Sequence, residues 1–280
     1  MIGGLRLRKI DFFSIFSVLV ALMVMAASGY GLYHPDLYSG NDFSFLRLIA
    51  NQDLIMLLVY VPILLIVTWL TARKSFRAVL IWLGVMGYFC YVYTGYAFGG
   101  VSGKILLLHI AIAAASFFLF LTKLAMIDIE EFRLRFEVTS FWFTAFFMIA
   151  VALLTETLWL QRYINTLSGP IIEFWMLNLK SVSAVKVLDL AFLGPLCFLA
   201  GFWLSARKAI GYVLTTALLV IIPAKFGTLL TEFNLISNPT QPNLLFGAVA
   251  LVALILLINF QKKLKEEKLT NYHERISNYF

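Results

Sequence analysis

Side chains able to bind or exchange protons are scarce in the apolar stretches of this 280-residue chain, and they share one level. Asp53 opens one apolar run and Asp189 another, Glu156 closes a third, and His109 stands about one turn into a fourth. Lys225 lies inside a fifth, roughly 7–8 Å from its nearer end at 1.5 Å rise per residue. The segment YFCYVYTGYAFGG at 88–100 adds Tyr88, Tyr91, Tyr93, Thr94 and Tyr96. Helical spacing sets Tyr88 and Tyr91 on one face and Tyr93 and Tyr96 on another.

Ionisable groups are expensive in a bilayer, so each is a candidate for function. The ligand-binding candidates are Asp53, Tyr91, Tyr96, His109, Glu156, Asp189 and Lys225. Lys225 would counter an anionic or polar ligand group, the aspartates would orient the ligand or hold the lysine, and the phenols would wall an amphipathic ligand. His109, Glu156 or an aspartate could act as general base only if they converge on a substrate, and no catalytic residue is assigned. Each candidate also has a structural use. A carboxylate at the start of a helix meets free N–H groups and the positive dipole end. Lys225 can snorkel or pair with Asp189 or Glu232, His109 can serve helix packing, and the tyrosines can form an interfacial belt.

Other chemistries find no support. His109 lacks a second histidine on an adjacent turn, and HExxH and CxxC motifs are absent, so neither metal nor cofactor is expected. FGGVSGK at 98–104 has Phe98 where a phosphate loop needs glycine and Ile105 after its lysine. Cys90 and Cys197 lie far apart inside apolar runs and read as small buried hydrophobes.

The elements that must position the candidates are membrane spans. Hydrophobic residues make up 61% of the chain against 13% charged, with mean hydropathy +0.90. About twice that charged share is usual for a soluble domain. Eight spans are expected, near 12–30, 54–71, 78–98, 105–123, 139–158, 187–205, 209–230 and 244–261, each long enough to cross roughly 30 Å of hydrocarbon. The first follows RLRK and ends near VMAASG, as a signal peptide can, but its apolar run is longer, and it is expected to be retained.

The net charge of +7 is distributed by topology. Arg6, Arg8, Lys9, Arg73, Lys74, Arg77, Lys123, Arg133, Arg135, Arg207, Lys208 and the lysine-rich 262–268 segment fall on one side, which places both termini in the cytoplasm. No basic patch is interleaved with stacking aromatics, so nucleic acid is not a partner. The expected surroundings are a lipid bilayer, the plasma membrane of a prokaryote, with a small-molecule or lipid ligand. Oligomeric state is not legible.

WLTARK at 69–74 and WLSARK at 203–208 suggest a duplication. At the same offset Val79-Leu80 meets Val213-Leu214 and Tyr91 meets Lys225, while RLRK at 6–9 echoes RLRF at 133–136. Amphipathic stretches at 43–51 and 171–180 precede equivalent spans. The expected architecture is therefore all-α: residues 1–128 form one four-helix repeat, 129–264 a second running parallel to it, and 265–280 a cytoplasmic tail. The segment 126–137 reads as a linker along the inner surface. For function, an outward-facing polar pocket that binds or transports a ligand leads. A membrane-embedded enzyme at the outer leaflet is the alternative, less favoured, and a non-catalytic subunit or assembly factor is the third reading. The lack of polar groups towards the cytoplasm weighs against transport.

Overall fold

Among the described residues, eight helices long and apolar enough to cross a membrane follow one another. The computed structural model describes residues 12–34, 50–99, 104–136, 141–167, 184–236 and 242–265. The spans are α1 (Phe12–Tyr33), α2 (Ala50–Ala72), α3 (Phe76–Phe98) and α4 (Lys104–Met126). After the short α5 (Ile129–Arg135) come α6 (Trp142–Leu167), α7 (Ala184–Ser205), α8 (Ala209–Ile236) and α9 (Pro242–Lys262). No strand occurs among the described residues, and the chain is an all-helical, multi-pass integral membrane protein. Helix ends agree with the apolar runs except where α6 and α8 continue beyond them. Apolarity stops at the hydrocarbon edge, but the helical hydrogen-bond ladder need not.

The helices are not equally placed. The apolar windows of α3 and α8 are 67% and 83% buried, against 28–39% for the other six. These two form the centre, side by side, and the rest surround them and face lipid on one side. Their close approach depends on Gly84 of α3, where a Cβ atom would stand 2.6 Å from Val220 Cβ and 3.0 Å from the Ala217 carbonyl oxygen. Around this pair, α2 and α4 pack against α3 with α1 laid across them, and α7 and α9 pack against α8 with α6 laid on α7. α1 belongs to the core: Val20 and Val24 are buried, and Ser17 accepts a 2.8 Å hydrogen bond from the Trp82 indole.

α2 and α7 share an uncommon backbone. Each contains one π-helical turn, Met56–Tyr60 in α2 and Asp189–Leu193 in α7. Each turn is followed by a twelve-residue α-helix with proline in its first turn, Pro62 and Pro195. Proline has no N–H to give and its ring crowds the carbonyl four residues back. Widening the preceding turn to five-residue bonds relieves both problems. Each helix then ends in a tight corner whose left-handed residue is Lys74 (φ 65°) or Arg207 (φ 53°), and the next helix starts two residues later. The π-turns, prolines, left-handed corners and following helix starts all recur at one constant spacing. That spacing is one residue shorter than the offset between WLTARK and WLSARK. Displaced by that spacing, Lys225 falls on Val92 rather than Tyr91, and Asp189 falls on Met56, three residues from Asp53.

The basic end of the bundle is clasped. Asp128 caps α5 by accepting bonds from the Glu130 and Glu131 amides at 3.0 and 3.1 Å. The Arg135 guanidinium reaches Glu131 at 2.5 Å and lies 3.6 Å from the centre of the Phe76 ring. Phe136 and Leu264 form an antiparallel bridge, and Arg77 donates to the Leu264 carbonyl at 2.7 Å through Nη2. The linker thus joins the start of α3 to the end of α9. The stretch 171–180, residues 43–49 and the tail beyond 265 lie outside the described residues.

Candidate functional site

The seven candidate residues gather in two clusters, both at the end of the bundle away from the basic corners. The first is built around Asp189, the opening residue of the π-turn in α7 and fully buried. Its Oδ1 accepts a hydrogen bond from the Tyr91 hydroxyl at 2.5 Å, and its Oδ2 one from the Trp159 indole at 2.8 Å. The Lys225 ammonium forms an ion pair with the same Oδ2 and donates to the Tyr91 oxygen at 2.7 Å. Four helices, α3, α6, α7 and α8, thus each contribute one group. Both carboxylate oxygens and two of the three ammonium donors are engaged, and Lys225 is 5% exposed. Tyr91 and Lys225, matched by the sequence offset as counterparts, are contact partners across the α3–α8 seam.

Glu156 sits one turn before Trp159 on α6, against the backbone of α7. Gly194 makes room for it: a Cβ there would fall 2.0 Å from Glu156 Oε1, an impossible distance. That oxygen has no hydrogen-bond partner among the described residues.

The second cluster joins the remaining candidates, Asp53, Tyr96 and His109. Asp53 lies three residues before the π-turn of α2 and is 1% exposed. Ser28 hydrogen-bonds its carboxylate and Tyr96 lies close by, yet Oδ2 has no partner among the described residues. Ser28 also shares a 3.1 Å hydrogen bond with the Tyr93 hydroxyl. His109, 1% exposed, lies against the rings of Tyr93 and Tyr96, with centroids 5.4 and 5.2 Å away, and its Nδ1 is unpartnered. Helices α1, α2, α3 and α4 each supply a group here. Because Tyr93 and Tyr96 share a helix face distinct from that of Tyr91, one helix serves both clusters. No carboxylate–ammonium pair forms around Asp53 among the described residues.

Several contributing residues were not among the sequence candidates. The role of Trp159 shows only in the direction of its indole nitrogen, which donates to Asp189. Gln52, beside Asp53, donates from Nε2 to the Tyr88 hydroxyl at 2.5 Å. Tyr60 closes the π-turn of α2 and donates to the Val220 carbonyl at 2.9 Å. That carbonyl neighbours Leu219, whose carbonyl loses its helical partner because Pro223 has no N–H. Pro223, two residues before Lys225, was the signal that could have pointed to this seam. Among the described residues no three His, Cys, Asp or Glu side chains are grouped to hold a metal ion. Compared with protein-family models, curated proteins and solved structures, the chain matches none, so its function is argued from this geometry alone.

Proposed function

We propose that the protein binds an amphipathic small molecule or lipid-like ligand at the Asp53 cluster, in the half of the membrane away from its basic face. The observation that carries this reading is the buried, unpartnered Asp53 Oδ2, in a cluster where His109 Nδ1 is unpartnered as well. Leaving a buried acceptor unsatisfied costs its full desolvation penalty, about 1–3 kcal/mol and more for a charged group. A ligand that donates a hydrogen bond recovers it. The carboxylate and the two tyrosine rings favour a donor that carries positive charge, since ring faces attract cations. An amine-bearing amphiphile fits best, entering by displacing the Ser28 or Tyr96 contact that now closes the site.

In this reading the Lys225–Asp189 network is scaffold, already satisfied, and holds α3 to α6, α7 and α8. The recurring π-turns, corners and central helix pair support two parallel four-helix repeats. The concentration of arginine and lysine at the clasped end supports a cytoplasmic basic face and an opposite, outer, binding face. Extraction and mass spectrometry of molecules retained by wild type and by Asp53→Asn tests the binding role. A species retained by wild type and lost from the variant is expected; identical profiles would refute it.

A second reading, a non-catalytic subunit whose polar groups fix helix packing, is favoured by the closure of the Lys225–Asp189 pair. It predicts that Asp53→Asn changes stability and nothing else.

A further inference from the structure

A groove between α6 and α9 at the basic end belongs to neither cluster. It encloses about 240 Å³ over a buried floor of Phe141, Thr144, Leu256 and Phe260, and its mouth carries Asn259 and Lys263. Lys263 directly follows the end of α9, one turn beyond Asn259, and Thr144 lines the same groove from α6. Lys263 lies 4.9 Å from the centre of the Phe141 ring and pairs with no carboxylate among the described residues. A second cation stands close by. Tyr212 touches both floor aromatics, with centroids 5.6 Å from Phe141 and 6.2 Å from Phe260, and Arg207 lies near enough to Tyr212 for its charge to be felt. Arg133 is near as well, but Glu130 neutralises it at 2.6 Å.

Away from the mouth, towards mid-membrane, the same helices turn apolar side chains outward. Phe143 and Phe146 are 64% and 60% exposed on α6, and Leu251 and Ile255 are 59% and 48% exposed on α9. One end of the groove is thus cationic and rich in donors, and the other continues as a lipid-facing apolar strip. A free anion would complement only the first part, whereas a phosphate carrying acyl chains complements both.

We propose that this groove is a binding site for one anionic phospholipid from the leaflet at the basic face. The phosphate rests on Lys263 with Asn259 and Thr144 donating to its oxygens, and an acyl chain follows Phe143, Phe146 and Ile255. The headgroup then sits where Phe136 of the linker meets Phe141 edge-on and Phe260 at a tilt, at 5.7 and 4.6 Å between centroids, and braces the clasp.

Native mass spectrometry of the full chain tests this, in detergent doped with phosphatidylglycerol or phosphatidylcholine. The wild type is expected to retain phosphatidylglycerol about fivefold better than phosphatidylcholine, the scale of one basic residue at a membrane surface. Lys263→Gln is expected to abolish that preference and Asn259→Leu to reduce it. Lys262→Gln removes the same charge from the exposed neighbouring face and is expected to leave the preference intact. Unchanged labelling of the buried Cys197 confirms that each variant is folded. Equal losses in the Lys262 and Lys263 variants would reduce the effect to general surface charge and overturn the proposal. So would displacement by excess inorganic phosphate, which would make the site one for a free anion.

Discussion

Replacing Lys225 by methionine keeps the length and apolar bulk of the side chain and removes only its ammonium. Asp189 would remain fully buried, with the Tyr91 and Trp159 donors in place and no cation beside it. Breaking one side of a buried ion pair costs about 3–5 kcal/mol in soluble proteins. Two retained donors place this case at the lower end, near 3 kcal/mol. Interhelical hydrogen bonds in membranes are weaker, averaging about 0.6 kcal/mol, so a charge left unpaired and a hydrogen bond merely lost predict different numbers. The companion variant Lys225→Met/Asp189→Leu removes both charges and is expected to recover to within about 1 kcal/mol of wild type. That gives a coupling of about 2 kcal/mol or more between the sites. A suitable assay is sodium dodecyl sulfate unfolding in mixed micelles, read by thiol-dye labelling of the buried Cys197 in a Cys90→Ala background. A single-variant loss below about 0.5 kcal/mol, or a double variant as unstable as the sum of its singles, would refute the pairing argument.

Other perturbations separate the remaining parts of the account. Gly84→Leu is expected to force α3 from α8 and abolish recovery of folded protein, since even a Cβ there meets Val220 at 2.6 Å; folded protein of normal stability would contradict the central seam. Gly194→Ala is expected to evict the Glu156 side chain and lower the unfolding midpoint, and Gly194→Ala/Glu156→Ala to regain most of the loss. Absence of rescue would mean that the glycine serves the π-turn instead. Arg77→Ala removes the donor to the Leu264 carbonyl and is expected to speed hydrogen exchange in α5 and at the end of α9, with α4 unaffected. For topology, Arg207→Cys is expected to react with an impermeant maleimide only from the cytoplasmic side and Phe98→Cys only from the opposite one; the reverse would invert the orientation.

Spans were legible because apolar runs of bilayer length leave few alternatives, and most basic residues mark one end of them. WLTARK and WLSARK suggested a duplication, yet the strings lie one residue out of step with the backbone landmarks. Trp69 and Trp203 satisfy membrane-interface preferences that tolerate a shift of one residue, whereas a left-handed corner and a proline do not. Asp53 and Asp189 read alike in the sequence, each a carboxylate opening an apolar run. Their partners separate them: an ammonium, a phenol and an indole at Asp189, and only hydroxyls at Asp53. Such partners come from helices distant in sequence, so no local pattern announces Trp159 beside Asp189 or Ser28 beside Asp53. The π-turns were likewise hidden, because proline signals a disturbed ladder without saying how the chain absorbs it.

The binding of dodecylamine to the full chain in nanodiscs tests the ligand site most directly, with dodecanol and dodecyl sulfate as chain-matched controls. Saturable binding that favours the amine is expected for wild type, and about tenfold weaker binding for Asp53→Asn, one lost charge-assisted contact. Lys225→Met/Asp189→Leu, which alters only the scaffold network, is expected to keep the wild-type preference. Equal binding of all three amphiphiles, or an Asp53→Asn variant that binds the amine as wild type does, would contradict the assignment of Asp53 as the ligand's partner.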